Sequence, residues 1–160
     1  MNQKKIKIHN HIENKVLTDY FFIEGTIDID DKYFFNKIKE GFDKENNMSF
    51  QTNVRDHMTP YEYFNTDEKF LTIIKNFISY IDARFNLNKY RLFDSWGYCV
   101  RTGNQTRLHN HKPCVWSGAI YLNKHPQFLE FPDINMKVKP EKGKFALFSS
   151  FLEHGTNRHE

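Results

Sequence analysis

The sequence predicts a mainly β domain with flanking helices, built as a jelly roll or a related double-sheet barrel. Three observations carry this prediction. From Tyr90 onward the apolar residues Tyr90, Leu92, Trp96, Tyr98 and Val100 fall on alternating positions, and a period of two marks a half-buried strand. Short apolar runs then recur between the turn signals Asn123–Lys124, Pro132–Asp133 and Glu141–Lys142–Gly143, the pattern of many short strands in a closed or double sheet. Ahead of them, two stretches carry apolar residues at three- and four-residue spacing, which is helical.

In chain order, residues 6–12 and 16–29 contain strand-like runs. Asp30 and Asp31 open a helix reaching about Lys44, with Phe34, Phe35, Ile38 and Phe42 at helical spacing. Residues 46–64 read as a strand and a loop interrupted by Pro60. Thr66 is the expected N-cap of a second helix, with Asp67 and Glu68 in its first turn, where carboxylates favour the helix dipole. Phe70, Leu71, Ile74, Phe77, Ile78, Ile81 and Phe85 give that helix one apolar face down to about Asn86. Strands are expected over 90–100, 105–111, 115–122, 127–131, 136–138 and 144–149. The helices should pack on the outer face of one sheet. A single domain over 1–160 follows, with 1–89 as an α/β flanking region and 90–160 as the β core.

A length of 160 residues suits one sizeable core. Twenty-three basic against 20 acidic residues leave a net charge of +3, too even to argue for nucleic acid or a membrane surface. No apolar run approaches the ~20 residues of a membrane span. The first eight residues are basic but no apolar run follows them, so no secretory leader is expected. A cytoplasmic, reduced protein is the expectation, with Cys99 and Cys114 as free thiols.

The chemistry-bearing segment is Arg107-Leu108-His109-Asn110-His111-Lys112-Pro113. On a strand, residues two apart share a face, so His109 and His111 should point together while Leu108 and Asn110 point away. Neutral imidazoles are ligands for iron, zinc, copper and nickel. His154 is the expected third ligand, 45 residues after His109 and beyond a turn and a strand that begin at Gly143. His9 and His11 repeat the spacing but read as exposed polar residues, and His57, His125 and His159 read as surface residues.

A longer set of residues surrounds these histidines. It comprises His109-Asn110-His111-Lys112-Pro113, Trp116 to Leu122, Leu129-Glu130-Phe131-Pro132-Asp133, Pro140 to Phe148, and Glu153-His154-Gly155, with Thr52-Asn53-Val54 and Met58-Thr59 upstream. In this order the set resembles the 2-oxoglutarate- and iron(II)-dependent oxygenases. Within them it is similar to a small group with a His-x-His-Pro-like motif and a Ser-Gly-x-x-Tyr strand, frequent in tailed phages and marine bacteria. The resemblance covers roughly residues 51–160. It implies a cupin-like double-stranded β-helix holding one iron, with 2-oxoglutarate as co-substrate. It also implies a host-cytoplasmic location if the protein is phage-encoded.

The family holds iron with two His and one carboxylate, leaving positions for 2-oxoglutarate and oxygen. Here the carboxylate position aligns with His111, so the reading is a three-His site. The alternative is that Asp133 or Glu130 supplies a carboxylate and His111 stands behind it. The family also closes with a basic residue, commonly Arg, on a strand after the distal His, where it pairs with the far carboxylate of 2-oxoglutarate. This chain stops six residues past His154, so the expected barrel lacks its last strand or strands. Arg158 arrives early for that role, and Tyr121, Arg107 and Arg101 are the substitute contacts. Trp96, Tyr98, Trp116 and Ser117 are the expected pocket residues, Cys114 a small buried apolar residue, and Gly143 a tight turn.

Three functions follow. The first is a dioxygenase hydroxylating an unactivated C–H bond with iron(II) and 2-oxoglutarate. The second is a three-His, cupin-like metal dioxygenase that uses no keto acid. The third is a non-catalytic barrel serving as a binding or structural module, for example in a phage particle. The substrate, small or macromolecular, is open, and a homodimer is among the assemblies left open.

Overall fold

The structure, a computed structural model, describes residues 9–10, 17–18, 20–42, 52–54, 56–85, 89–101 and 103–156. In chain order the elements are β1 (His9–Asn10), β2 (Leu17–Thr18), β3 (Phe22–Thr26), α1 (Asp31–Phe42), β4 (His57–Met58), α2 (Glu68–Phe85), β5 (Tyr98–Cys99), β6 (Trp116–Ile120), β7 (Leu129–Phe131), β8 (Met136–Val138), β9 (Lys144–Ser149) and β10 (Gly155–Thr156). The described chain is therefore mainly β, with two helices and small antiparallel sheets. Most of the expected run at 6–12, with His11, Arg158 and His159, lies outside the described residues. The chain forms two compact units, 1–20 with 61–96, and 21–60 with 97–160.

The first unit contains the β1–β2 pair and α2. The N-cap of α2 is Asp67 rather than Thr66: its Oδ1 accepts the Phe70 N–H at 2.9 Å, three residues into the helix. Phe77 and Ile81 are buried on the apolar face. The alternation at 90–96 does not produce a strand, and Tyr90 and Phe93 are exposed. This segment bonds instead to the turn before α2. Phe64 N–H donates to the Ser95 carbonyl at 3.3 Å, and Asn65 Nδ2 donates to the Phe93 carbonyl at 3.2 Å. Isolated bonds to a turn satisfy this backbone without a ladder.

The second unit carries both larger sheets. β9 is central in the first, antiparallel to β3 on one side and β6 on the other. Its pairs include Phe22↔Phe148↔Ser117 and Glu24↔Ala146↔Ala119. Tyr121 N–H then reaches the Lys144 carbonyl at 2.8 Å, while Thr26 pairs with Lys144 from the other side, which adds a third row. Since side chains alternate, these three rows share one face.

The second sheet runs β10–β7–β8, with Gly155↔Glu130 and Phe131↔Met136 in register. The aromatic contacts show which faces meet. Phe131 lies 5.1 Å from Phe22 and 4.8 Å from Phe148 between ring centroids. Phe131 and Phe148 are each 1% exposed, so this is the dry centre of the unit.

Helix α1 begins at its Asp30 cap, whose Oδ1 accepts the Tyr33 N–H at 3.1 Å. Phe34 and Ile38 are buried, but Phe35 turns outward, where Lys39 Nζ sits 5.8 Å from its ring. Gly143 has φ +76°, and a Cβ there would collide with the Ile27 carbonyl, so the expected tight turn needs glycine.

Candidate metal centre

The strand expected over 105–111 is short and interrupted. His109 and His154 exchange both backbone hydrogen bonds, at 3.1 and 2.9 Å. The next bond joins Thr156 N–H to the Thr106 carbonyl at 2.9 Å. Arg107 and Leu108 therefore stand opposite Gly155 alone, which is a β-bulge. A Cβ on Gly155 would sit 2.8 Å from the Thr106 oxygen and 3.0 Å from the Leu108 nitrogen. Only glycine lets the two backbones approach this closely. Beyond His109 the ladder stops, and His111 is held by its N–H bond to the Ser150 carbonyl at 2.8 Å. Strand alternation thus accounts for less of the pairing than the sequence suggests.

The three rings nevertheless converge. Centroid separations are 4.9 Å for His109–His111, 4.4 Å for His109–His154 and 4.9 Å for His111–His154. One nitrogen from each lies within 4.8 Å of the others. His109 Nδ1 is 2.7 Å from the Arg107 carbonyl, and His154 Nδ1 is 3.0 Å from the Leu152 carbonyl. A carbonyl only accepts, so both Nδ1 atoms carry the proton and both Nε2 atoms present lone pairs. Proteins orient imidazole ligands in this way. His111 Nε2 faces His154 Nε2 at 3.2 Å. Ligand nitrogens at about 2.0–2.1 Å from a shared ion would be spaced roughly 3.0–3.4 Å apart, so this pair already has the required spacing.

Electrostatics agree. Burial pushes His154 down to about 3, against the raising effect of the Leu152 carbonyl, with His109 and His111 adding to the depression. Burial pushes His111 down to about 4, and His109 lowers it further. Both rings are neutral near pH 7, the state that ligation requires. His154 also packs 4.7 Å from Phe148 and 5.6 Å from Phe131, which fixes its ring against an apolar wall.

The donor set is three neutral imidazoles. Among the described residues no thiolate or carboxylate joins the group. Glu130 lies between the buried Leu129 and Phe131, so alternation turns it away from the histidines, and it takes Lys137 Nζ at 2.7 Å. Asp133 Oδ2 accepts the Glu153 N–H at 3.1 Å. Such a nitrogen set fits a divalent transition ion, and it would leave the ion's full double charge uncompensated by protein.

The other expected site residues divide. Ser117 and Tyr121 lie on the inner face, in the first and third rows. Trp116 pairs with Ser149 on the opposite face, edge-on to Phe21 at 3.9 Å. Tyr98 pairs with Met58 in the β4–β5 ladder. Trp96 belongs to the other unit, where it packs edge-on to Tyr61. Arg107 lines a groove of about 270 Å³ with Leu108, Glu130 and Pro132; its contribution to the histidines is its carbonyl. Arg101 Nε pairs with Asp56 Oδ1 at 3.0 Å, with no bond to the histidines. Burial raises the Asp56 carboxyl, but hydrogen bonds from Asn104, Arg101 and His57 outweigh it and hold the acid ionised. This buried knot had no signal in the sequence. Cys114 is half-buried, and its carbonyl accepts the Ser150 hydroxyl. His57 is half-buried against Phe42, and His125 Nδ1 accepts the Gln127 N–H at 3.2 Å.

No family model, curated protein or solved structure matches this chain. Among the described residues no helix is long and apolar enough to cross a membrane.

Proposed function

We propose that His109, His111 and His154 bind one iron(II) ion and that the protein is a 2-oxoglutarate-dependent oxygenase on a double-stranded β-helix. The observation that carries this reading is the convergence of three ring nitrogens within 4.8 Å, two of them oriented by backbone carbonyls. The fold proposal is supported by two antiparallel sheets that meet through Phe22, Phe131 and Phe148, with the histidines at their junction.

Bound there with 2-oxoglutarate and oxygen, iron would supply the oxidising power to hydroxylate an unactivated C–H bond. The chain's part is positional. Arg107 and Leu152 fix two imidazole tautomers through their carbonyls. Phe131 and Phe148 keep water from the buried side of the rings. His109 and His111 are half-exposed, which leaves the group reachable from outside.

Anaerobic titration of the purified chain with iron(II) should reach one ion per chain. His109→Ala and His154→Ala should each weaken uptake by at least about 100-fold, in line with the cost of losing groups that hold a metal. Succinate formation from 2-oxoglutarate then tests the oxygenase assignment. A chain that stays metal-free, or takes up metal equally well without His109, sinks the reading.

A second reading, a three-His dioxygenase without a keto acid, is favoured by one observation: no carboxylate joins the group among the described residues. Calorimetry with 2-oxoglutarate on the metal-loaded protein separates the two readings.

A further inference from the structure

The groove of about 270 Å³ belongs to the β10–β7–β8 sheet, on the side turned away from the histidines. Glu130 lines it, and alternation with the buried Leu129 and Phe131 points Glu130 outward. Gly155 pairs with Glu130, and the bulged residues Arg107 and Leu108 stand opposite Gly155. The groove is thus bounded by Glu130 and Pro132 on one side and by Arg107 and Leu108 on the other, across a residue with no side chain. Its volume is just below the ~300 Å³ at which ligand pockets begin, so only a small ligand fits.

The groups that bound it include donors without acceptors. Among the described residues the Arg107 guanidinium takes part in no ion pair. The bulge also removes the Leu108 N–H from the ladder. Arg107 N–H reaches the Asn53 carbonyl and His109 N–H the His154 carbonyl, and Leu108 N–H is left without a partner among the described residues. Thr106 lines the groove too, and its buried hydroxyl has no partner among the described residues. The acid in the wall, Glu130, is already met by Lys137 Nζ at 2.7 Å. An uncommitted guanidinium and amide attract an anion, and a guanidinium takes a carboxylate through two parallel bonds. Leu108 is 57% exposed, and Pro132 is exposed across the groove from it. A bare inorganic ion would leave that apolar surface wet.

We infer that this groove is a second ligand site, for a small monocarboxylic acid with an apolar chain. The carboxylate meets the Arg107 guanidinium and the Leu108 N–H, and the chain lies against Leu108 and Pro132. Glu130 opposes the ligand, because its pairing with the exposed Lys137 screens its charge without removing it. The ligand is not the keto-acid co-substrate: the groove faces away from the histidines, and a second acid group would meet Glu130 rather than a metal. The inference does not rest on the metal-centre reading, since the site needs no ion and none of the three imidazoles. It touches the centre through the bulge alone, where the Arg107 carbonyl orients His109.

Proton–nitrogen NMR on the metal-free full chain tests this, with hexanoate as the probe. Hexanoate should shift the Leu108 and Gly155 amide signals saturably. Acetate, which keeps the acid without the chain, should bind at least about tenfold more weakly, as the loss of several partly buried methylenes requires. Hexan-1-ol, which keeps the chain without the acid, should be weaker by at least about fivefold, and so should hexanoate on Arg107→Gln, since each loses a charged hydrogen bond. 2-Oxoglutarate should bind more weakly than hexanoate. Glu130→Gln should tighten hexanoate by about threefold, the scale of an exposed charge contact, and damage to the fold would not produce such a gain. No saturable shift at Leu108 and Gly155, hexanol binding as tightly as hexanoate, or no gain in Glu130→Gln overturns the inference. Tighter binding of 2-oxoglutarate than of hexanoate overturns it as well, by making the groove a site for the keto acid.

Discussion

The β3–β9–β6 sheet and the strand pair that carries the histidines are built on opposite plans. The sheet pairs five residues on each side of β9 without interruption. The histidine strands pair at His109–His154, skip a residue at the Arg107–Leu108 bulge, and pair again at Thr106. Regularity makes the sheet a stiff floor, with Phe148 and Ala146 in defined rows. Irregularity lets the Arg107 carbonyl turn towards its own histidine. A regular ladder would spend that carbonyl on the neighbouring strand, so the bulge is what frees it to orient His109.

Removing the floor should have the largest effect. Phe148→Ala takes away a ring that touches both Phe131 and His154, and should cost about 4 kcal/mol of stability, read from urea unfolding. Gly155→Ala attacks the bulge instead. Its new Cβ meets three backbone positions that cannot move aside, so about 2–3 kcal/mol of stability should be lost. Metal affinity should fall with it. Full affinity in a destabilised Gly155→Ala would show that the bulge does not position His109.

The pH dependence sharpens the same contrast, since the titrating groups lie at the histidine end. His111 and His154 have folded-state values of about 4 and about 3, below the unfolded value near 6.5. The unfolded chain therefore binds protons first as pH falls. Stability from these groups is intact above about 6.5 and is lost between there and 3–4, at up to about 1.4 kcal/mol per pH unit for each group. His154→Gln should flatten that slope. An unchanged slope would mean that the ring is not buried neutral. The smallest effect is expected from Glu130→Gln. Its ion pair with the exposed Lys137 is worth about 0–1 kcal/mol, and metal affinity should not change. A tenfold loss would make Glu130 a ligand after all.

Some of this was legible in advance. β8 and β9 lie where short apolar runs between turn signals place them, and α1 and α2 lie within a few residues of their expected limits. Tyr90 to Trp96 misled because alternation reports what could line a sheet, not whether a neighbouring strand is there to pair with it. Trp116 looked like a pocket residue, yet its pairing with Ser149 puts it on the face away from Phe148. A one-residue change of register inverts that assignment, and local pattern does not set register. Gly155 was visible as part of Glu153-His154-Gly155, but its reason, a backbone 2.8 Å away, was not.

By itself, the sequence determined the mainly β character, the helical faces and the three histidines as a set, because these follow from spacing within one segment or from side-chain chemistry. Only the tertiary structure decided what surrounds that set. The Arg107 and Leu152 carbonyls that choose the tautomers, the exclusion of Glu130, the bulge at Gly155 and the row that carries Lys144 and Tyr121 all depend on which strands meet and in which register. Those contacts join segments tens of residues apart, and no local periodicity encodes them.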